Sequence, residues 1–325
     1  MFLQPFSIRT GVFLLAGLII VPAQAQLFDE RANWASRDRQ AEAYVSAGVA
    51  QGKANELVYG QPSSWPTDYK LSQLIWETRQ LPMLSAGVSA RFGLVTLNLQ
   101  GRLGITAGDA VMDDYDWVYT NRDWSHWSHH EDTDVTEAWA WDISLDFELT
   151  GSESMELAGV LGYKQELWAW ESYGGSYIYS SSGNFRDDSG SFTPGQPVIS
   201  YEQRFRVPYI GLRFTGETLN WRFGARYLYS NQVDVAAIDH HYLRDLIFED
   251  SFSPGEMSSY EISIEYRLSR QLGLLARYDV QDYAEVRGDT LYRDSNTGAV
   301  TGYCTNCAGA DNRSELVSVG LSYRF

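Results

Sequence analysis

The closing stretch of the chain, ELVSVGLSYRF, constrains its fold more than any other. Val317, Val319, Leu321, Tyr323 and Phe325 fall on one face, and Ser318, Gly320, Ser322 and Arg324 on the other. A period of two belongs to a β-strand with one apolar side and one polar side. The pattern returns in VTEAWAWDISLDFEL, where Val135, Trp139, Trp141, Ile143, Leu145, Phe147 and Leu149 oppose Ala138, Ala140, Asp142, Ser144, Asp146 and Glu148. A soluble sandwich would turn the apolar face inward. An exported chain that ends on an aromatic strand favours the reverse, with the apolar side toward lipid and the polar side toward a lumen.

The N-terminus supplies the argument for export. Arg9 precedes an apolar run from Val12 to Val21, followed by Ala23-Gln24-Ala25, so residues 1–25 are expected to form a signal peptide. Ten apolar residues cannot span a bilayer as a helix, which needs about 20. Any membrane role must then use strands. Residues 26–325 contain no Pro- or Ser-rich linker and no sustained helical period, and are read as a single domain. Aromatic residues make up 14% of the chain, including 21 Tyr and 11 Trp, which suits a barrel with aromatic girdles at its two interfaces. The net charge of -17 argues against a nucleic-acid partner and leaves room for cationic substrates. Cys304 and Cys307 are the two cysteines. In an exported chain they are expected to form a small local disulfide.

Alternation predicts strands near 41–58, 69–91, 95–107, 135–149, 154–172, 198–215, 219–235, 258–269, 272–288 and 314–325. Ten is an even number, as a bacterial single-chain barrel requires. Tight turns at Phe92-Gly93, TGSES, TGET and SRQ alternate with long segments near 59–68, 108–134, 173–197, 236–257 and 289–313. The fold expected is therefore an all-β, ten-stranded, antiparallel, up-and-down transmembrane barrel. Its five long loops gather at the extracellular rim, and its strands are long enough to carry it above the outer membrane.

All five histidines fall in two of those long segments: His126, His129 and His130 in DWSHWSHHED, and His240 and His241 in AAIDHHY. The first segment also holds the acidic cluster VMDDYDW. The segments follow strands three and seven, which are nearly opposite in a ring of ten. Two-residue spacing puts Asp114 and Asp116 on one face, and Asp239 and His241 on another. A carboxylate pair facing an Asp-His pair can activate a water for hydrolysis: His241 as general base, Asp239 orienting it, and two carboxylates sharing a proton. Plainer readings stand beside this one. A lumen His next to an Asp can be a satisfied ion pair, an acidic loop can be merely solvated, and HWSHHED could bind a metal, although its spacing matches no closed zinc site.

DDYDW, DHHY, YGGSYIYSSSGNFRDDSGSF and YEQRFRVPYIGL occur in this order on these elements, and together they resemble the omptin family of outer-membrane endoproteases of Gram-negative bacteria. The resemblance implies an extracellular groove that cleaves peptides at basic residues. Its catalytic residues would be Asp114, Asp116, Asp239 and His241, with no metal or other cofactor. It implies an acidic pocket that retains Glu56 but has Ala237 where the family has a second acid, and His126 in the pocket on the leaving side. Loss of two charges is expected to loosen the basic preference. The resemblance also implies activation by lipopolysaccharide on the outer wall, at Tyr163 and Arg204, with Gln165 and Leu167 replacing charged family residues. The competing functions are a non-enzymatic adhesin or invasin, and a porin. Asp142, Asp146 and Glu148 in the lumen argue against a wide neutral pore.

Overall fold

The structure, a computed structural model, describes residues 39–325 apart from 62, 63, 67, 106, 153 and 182. The expected signal peptide lies outside the described residues. Thirteen strands form one antiparallel sheet: β1 (Arg39–Tyr59), β2 (Lys70–Phe92), β3 (Val95–Gly104), β4 (Gly108–Asp116), β5 (His126–Gly151), β6 (Met155–Tyr173), β7 (Ser176–Tyr179), β8 (Asp188–Ser191), β9 (Pro197–Thr218), β10 (Trp221–His241), β11 (Leu246–Arg267), β12 (Leu272–Asp294) and β13 (Val300–Arg324). β3 and β4 share one position between β2 and β5. β7 and β8 form a hairpin attached to the end of β5. The remaining strands pair with their neighbours in turn, and β1 closes on β13. The result is a ring of ten positions with no free edge, as alternation predicted.

A belt of exposed apolar side chains encircles one half of the barrel. It includes Val45 and Val49 on β1, Trp141 to Leu149 on β5, Ile210 to Phe214 on β9, Ile262 and Ile264 on β11, and Val317 to Leu321 on β13. On β5 the belt spans nine residues, roughly 20 Å along the axis at a rise of 3.3 Å and a tilt near 40°. That is close to the height of a lipid-facing band. Another fifteen residues of β5, from His126 to Ala140, continue beyond it.

The strands are longer than alternation suggested, and the difference falls almost entirely at the far rim. β5 begins at His126, β10 continues to His241, and β11 begins at Leu246, so the expected loops near 108–134, 236–257 and 289–313 are largely strand. Only a 3-10 turn, Tyr242–Arg244, and Asp245 separate β10 from β11. The histidines placed in loops therefore lie on β5 and β10. Above the belt neither face meets lipid, so the amphipathic signal fades while the hydrogen-bonded ladder continues.

A second departure is systematic. Register shifts occur between Ala50 and Gly52, Thr78 and Gln80, Val135 and Glu137, Ser230 and Val233, and Tyr283 and Val286. These bulges lie just above the belt and reverse which residues face inward, as an inserted residue must. Val135, assigned by alternation to the lipid face, is consequently buried. On β10 the inward residues change from even positions to Val233, Val235, Ala237, Asp239 and His241. The bulges thus divide the barrel into a lower storey inside the belt and an upper storey with its own interior. Trp76, Trp170 and Tyr201 stack in the upper interior, with centroids 5.7 to 6.2 Å apart, and fill what would otherwise be a channel.

Candidate active site

The upper interior opens at the rim between β4 and β10. Local period-two geometry turns Asp114 and Asp116 to the same side of β4. Asp114 accepts a long hydrogen bond from Ser72 Oγ on β2, 3.4 Å. Across the ring, Asp239 is almost wholly buried and its Oδ2 lies 2.6 Å from His241 Nε2. Asp239 Oδ2 accepts no aligned hydrogen bond there, so the contact is a close approach of carboxylate and ring rather than an oriented hydrogen bond. Arg244, in the turn after β10, caps the same imidazole: its Nη2 lies 3.0 Å from Nε2 and also touches Nδ1.

The two pairs share one electrostatic field. Burial lifts the Asp114 carboxyl well above the usual range, Asp116 and Asp239 add to the rise, and Arg244 opposes it. Asp116 is raised chiefly by burial, while His126, Arg244 and His241 oppose the rise. Glu56, on β1, is raised well above its ordinary value by burial, then by Asp239 and Asp250. Neighbouring buried carboxylates resist joint ionisation, which favours the protonated forms of Asp114, Asp116 and Glu56.

The remaining sequence-predicted residues divide by location. Glu56 and Ala237 are buried in the same interior as Asp239. His126 lies directly across the β4–β5 ladder from Asp116, with its ring 5.2 Å from that of Tyr179. Tyr163 and Arg204 lie elsewhere, on the outer wall of β6 and β9. Arg204 pairs in register with Leu167, four residues from Tyr163, so the two are about 13 Å apart along the strands. Arg204 is paired with Glu202.

The HWSHHED histidines do not converge. His129 bonds Asp113 Oδ1 at 2.9 Å, beside Trp127. His130 is fully buried between Gly174 O and Ser128 Oγ, and burial lowers its pKa to about 4. Among the described residues no group of three or more His, Cys, Asp or Glu side chains is disposed around a common metal position. Cys304 and Cys307 form the local disulfide. Arg244 and Asp250 were missed by sequence reasoning, because 236–257 was read as loop. The short DHHYLRDLIFED stretch, with polar residues only at its centre and ends, was the available sign of a hairpin.

A closed antiparallel barrel with an apolar belt, an upper interior plugged by aromatic rings and a buried carboxylate–imidazole cluster at one mouth defines a class: an outer-membrane-type barrel with a polar, enclosed site at one rim. The chain belongs to the omptin family, whose model matches residues 38–325. It is 31% identical over 283 residues to a plasminogen activator of Yersinia pestis, covering 86% of this chain and 88% of that protein. It is 28% identical over 296 residues to protease 7 of Escherichia coli, covering 86% and 89%. The crystal structure of outer membrane protease OmpT from Escherichia coli superposes with a TM-score of 0.83 at 26% identity, covering 88% of this chain and 97% of that one. Membership places the chain among the outer-membrane proteases of Gram-negative bacteria.

Proposed function

We propose that the protein is an endopeptidase that cleaves peptides and proteins next to basic residues, using a water activated between Asp114–Asp116 and Asp239–His241. The observation that carries this reading is the mutual influence of the two pairs: Asp239 raises Asp114, and His241 opposes the rise of Asp116. His241 takes a proton from water as the oxygen attacks the scissile carbonyl carbon. Asp239 supports the resulting imidazolium. The Asp couple, holding one proton and one charge, orients the water and stabilises the developing tetrahedral centre. The C–N bond then breaks, and the proton on His241 passes to the leaving amine. Arg244 vacates the imidazole as the substrate enters. His126 lines the leaving side.

On the outer wall, Arg204 exchanges Glu202 for a phosphate of lipopolysaccharide, which guanidinium geometry suits, while Tyr163 packs against the lipid. This contact makes the lipid an activator. The test is refolded protein with an internally quenched Arg-Arg peptide, with and without lipopolysaccharide. Cleavage should rise with the lipid, and His241→Ala should lower kcat/KM by about 10²–10⁴-fold. A wild-type protein that binds host surfaces but cuts nothing would favour the adhesin. Cleavage indifferent to lipid would remove the role given to Arg204.

A further inference from the structure

Asp250 lies on β11, directly across the ladder from Ala237 on β10. Residues opposed in this way share a face, with Cβ atoms about 4.5–5.5 Å apart. Ala237 and Asp250 are both buried, at 2% and 7% exposure, so the alanine methyl leaves the Asp250 carboxyl facing the upper interior. There Asp250 meets Glu56 of β1 and Asp239 of β10: it is one of the charges that raise Glu56, and Asp239 raises it in turn. Glu56 Oε2 and Asp250 Oδ1 are buried without a hydrogen-bond partner. Among the described residues neither carboxyl pairs with a Lys or Arg. Tyr201, fully buried, lies within the field of both and stacks on Trp76, giving this part of the upper interior an aromatic floor.

Buried carboxylates with unpartnered oxygens and no protein cation are costly to hold. A group complementary to them brings a positive charge on a stem that can lie along an aromatic surface, and reaches a point two residues along β10 from Asp239. A lysine or arginine side chain of a bound peptide fits that description.

We propose that Asp250 is a specificity-determining residue: with Glu56 it forms the acidic end of the pocket for the basic side chain preceding the scissile bond, and from β11 it supplies the charge that Ala237 lacks on β10. This assignment rests on the endopeptidase reading. It makes the protein more selective for basic residues than position 237 alone would imply.

The experiment uses full-length refolded protein with lipopolysaccharide and two quenched peptides that differ only in arginine or its neutral isostere citrulline before the cleaved bond. The ratio of their kcat/KM values reads pocket charge and cancels any general loss of folded enzyme. Asp250→Asn should lower the arginine-to-citrulline ratio about 100-fold, as expected when one partner of a buried ion pair is removed. Adding Ala237→Asp to that variant should recover much of the ratio by returning a carboxylate across the same rung. A ratio unchanged by Asp250→Asn, in a wild type that cleaves the arginine peptide, overturns the assignment and leaves the peptidase reading intact. A wild type that cleaves neither peptide removes both.

Discussion

The two storeys of the barrel bury carboxylates in opposite ways. In the lower interior each of the following acids is matched. Arg213 lies 2.6 Å from both Asp146 and Glu156, and Arg91 joins Glu148 to Glu156. Arg222 holds Glu42 at 2.6 Å, and Arg102 holds Asp279 at 2.9 Å. In the upper interior Glu56, Asp114, Asp116, Asp239 and Asp250 crowd together, and of these Arg244 acts on Asp114 and Asp116. The same residue type is a structural brace below the bulges and an unsatisfied charge above them. The proposed function depends on that imbalance: a carboxylate already neutralised by arginine can neither share a proton with a neighbour nor attract a cationic peptide.

The largest expected effect comes from breaking the lower network. Arg213→Ala leaves Asp146, 2% exposed, and Glu156 without that cation. Removing one partner of a buried pair costs about 3–5 kcal/mol, and Arg91 will moderate the loss at Glu156. Urea unfolding in detergent micelles, followed by tryptophan fluorescence, should show an earlier midpoint at unchanged slope. The arginine-to-citrulline ratio of the folded fraction should stay the same. A change in that ratio would mean that the storeys are coupled and the comparison fails.

The upper storey should respond to neutralisation with the opposite sign. Asp250 is pushed up to about 7 by burial, with the Thr290 hydroxyl opposing the rise and Asp239 adding to it. An acid whose folded pKa exceeds its unfolded value near 4 contributes full stability below about pH 4 and loses it as pH rises to about 7. The loss is at most about 4 kcal/mol for a shift of this size. Asp250→Asn should therefore be more stable than wild type at pH 8, with the difference shrinking toward pH 4. Unfolding midpoints measured across that range decide it. A variant less stable at pH 8 would show that the carboxylate is satisfied and that the upper charges are not in surplus.

Sequence legibility follows the same division. Inside the belt, lipid on one side and a polar lumen on the other impose strict alternation, so the strands expected at 135–149 and 314–325 were read to within two residues of their lower ends. Above the bulges that asymmetry disappears. β10 and β11 were then cut short at 235 and 258, and Val135 was assigned to the wrong face. The shared faces of Asp114 with Asp116 and of Asp239 with His241 were nevertheless legible, because each pair needs only local two-residue spacing and the bulges lie below both; their catalytic role is a proposal. Asp250 could not be found in this way. Its place beside Ala237 depends on the register between β10 and β11, which is fixed by a hairpin that the sequence presents as a polar loop.

The smallest effect tests how far Arg244 relieves the upper cluster. Its guanidinium is among the charges that hold down the pKa of both Asp114 and Asp116, so Arg244→Gln should let the couple keep its proton to higher pH. If one member must be ionised to orient the water, the acid limb of the kcat/KM profile moves upward. Asp113→Asn provides the control: Asp113 bonds Trp127 and His129 on the opposite face of β4, and its substitution should leave that limb in place. Equal shifts in the two variants would make the effect one of net surface charge. Because kcat/KM reports the free enzyme, an unmoved limb in Arg244→Gln would mean that the guanidinium does not set the protonation of the couple even where it caps His241.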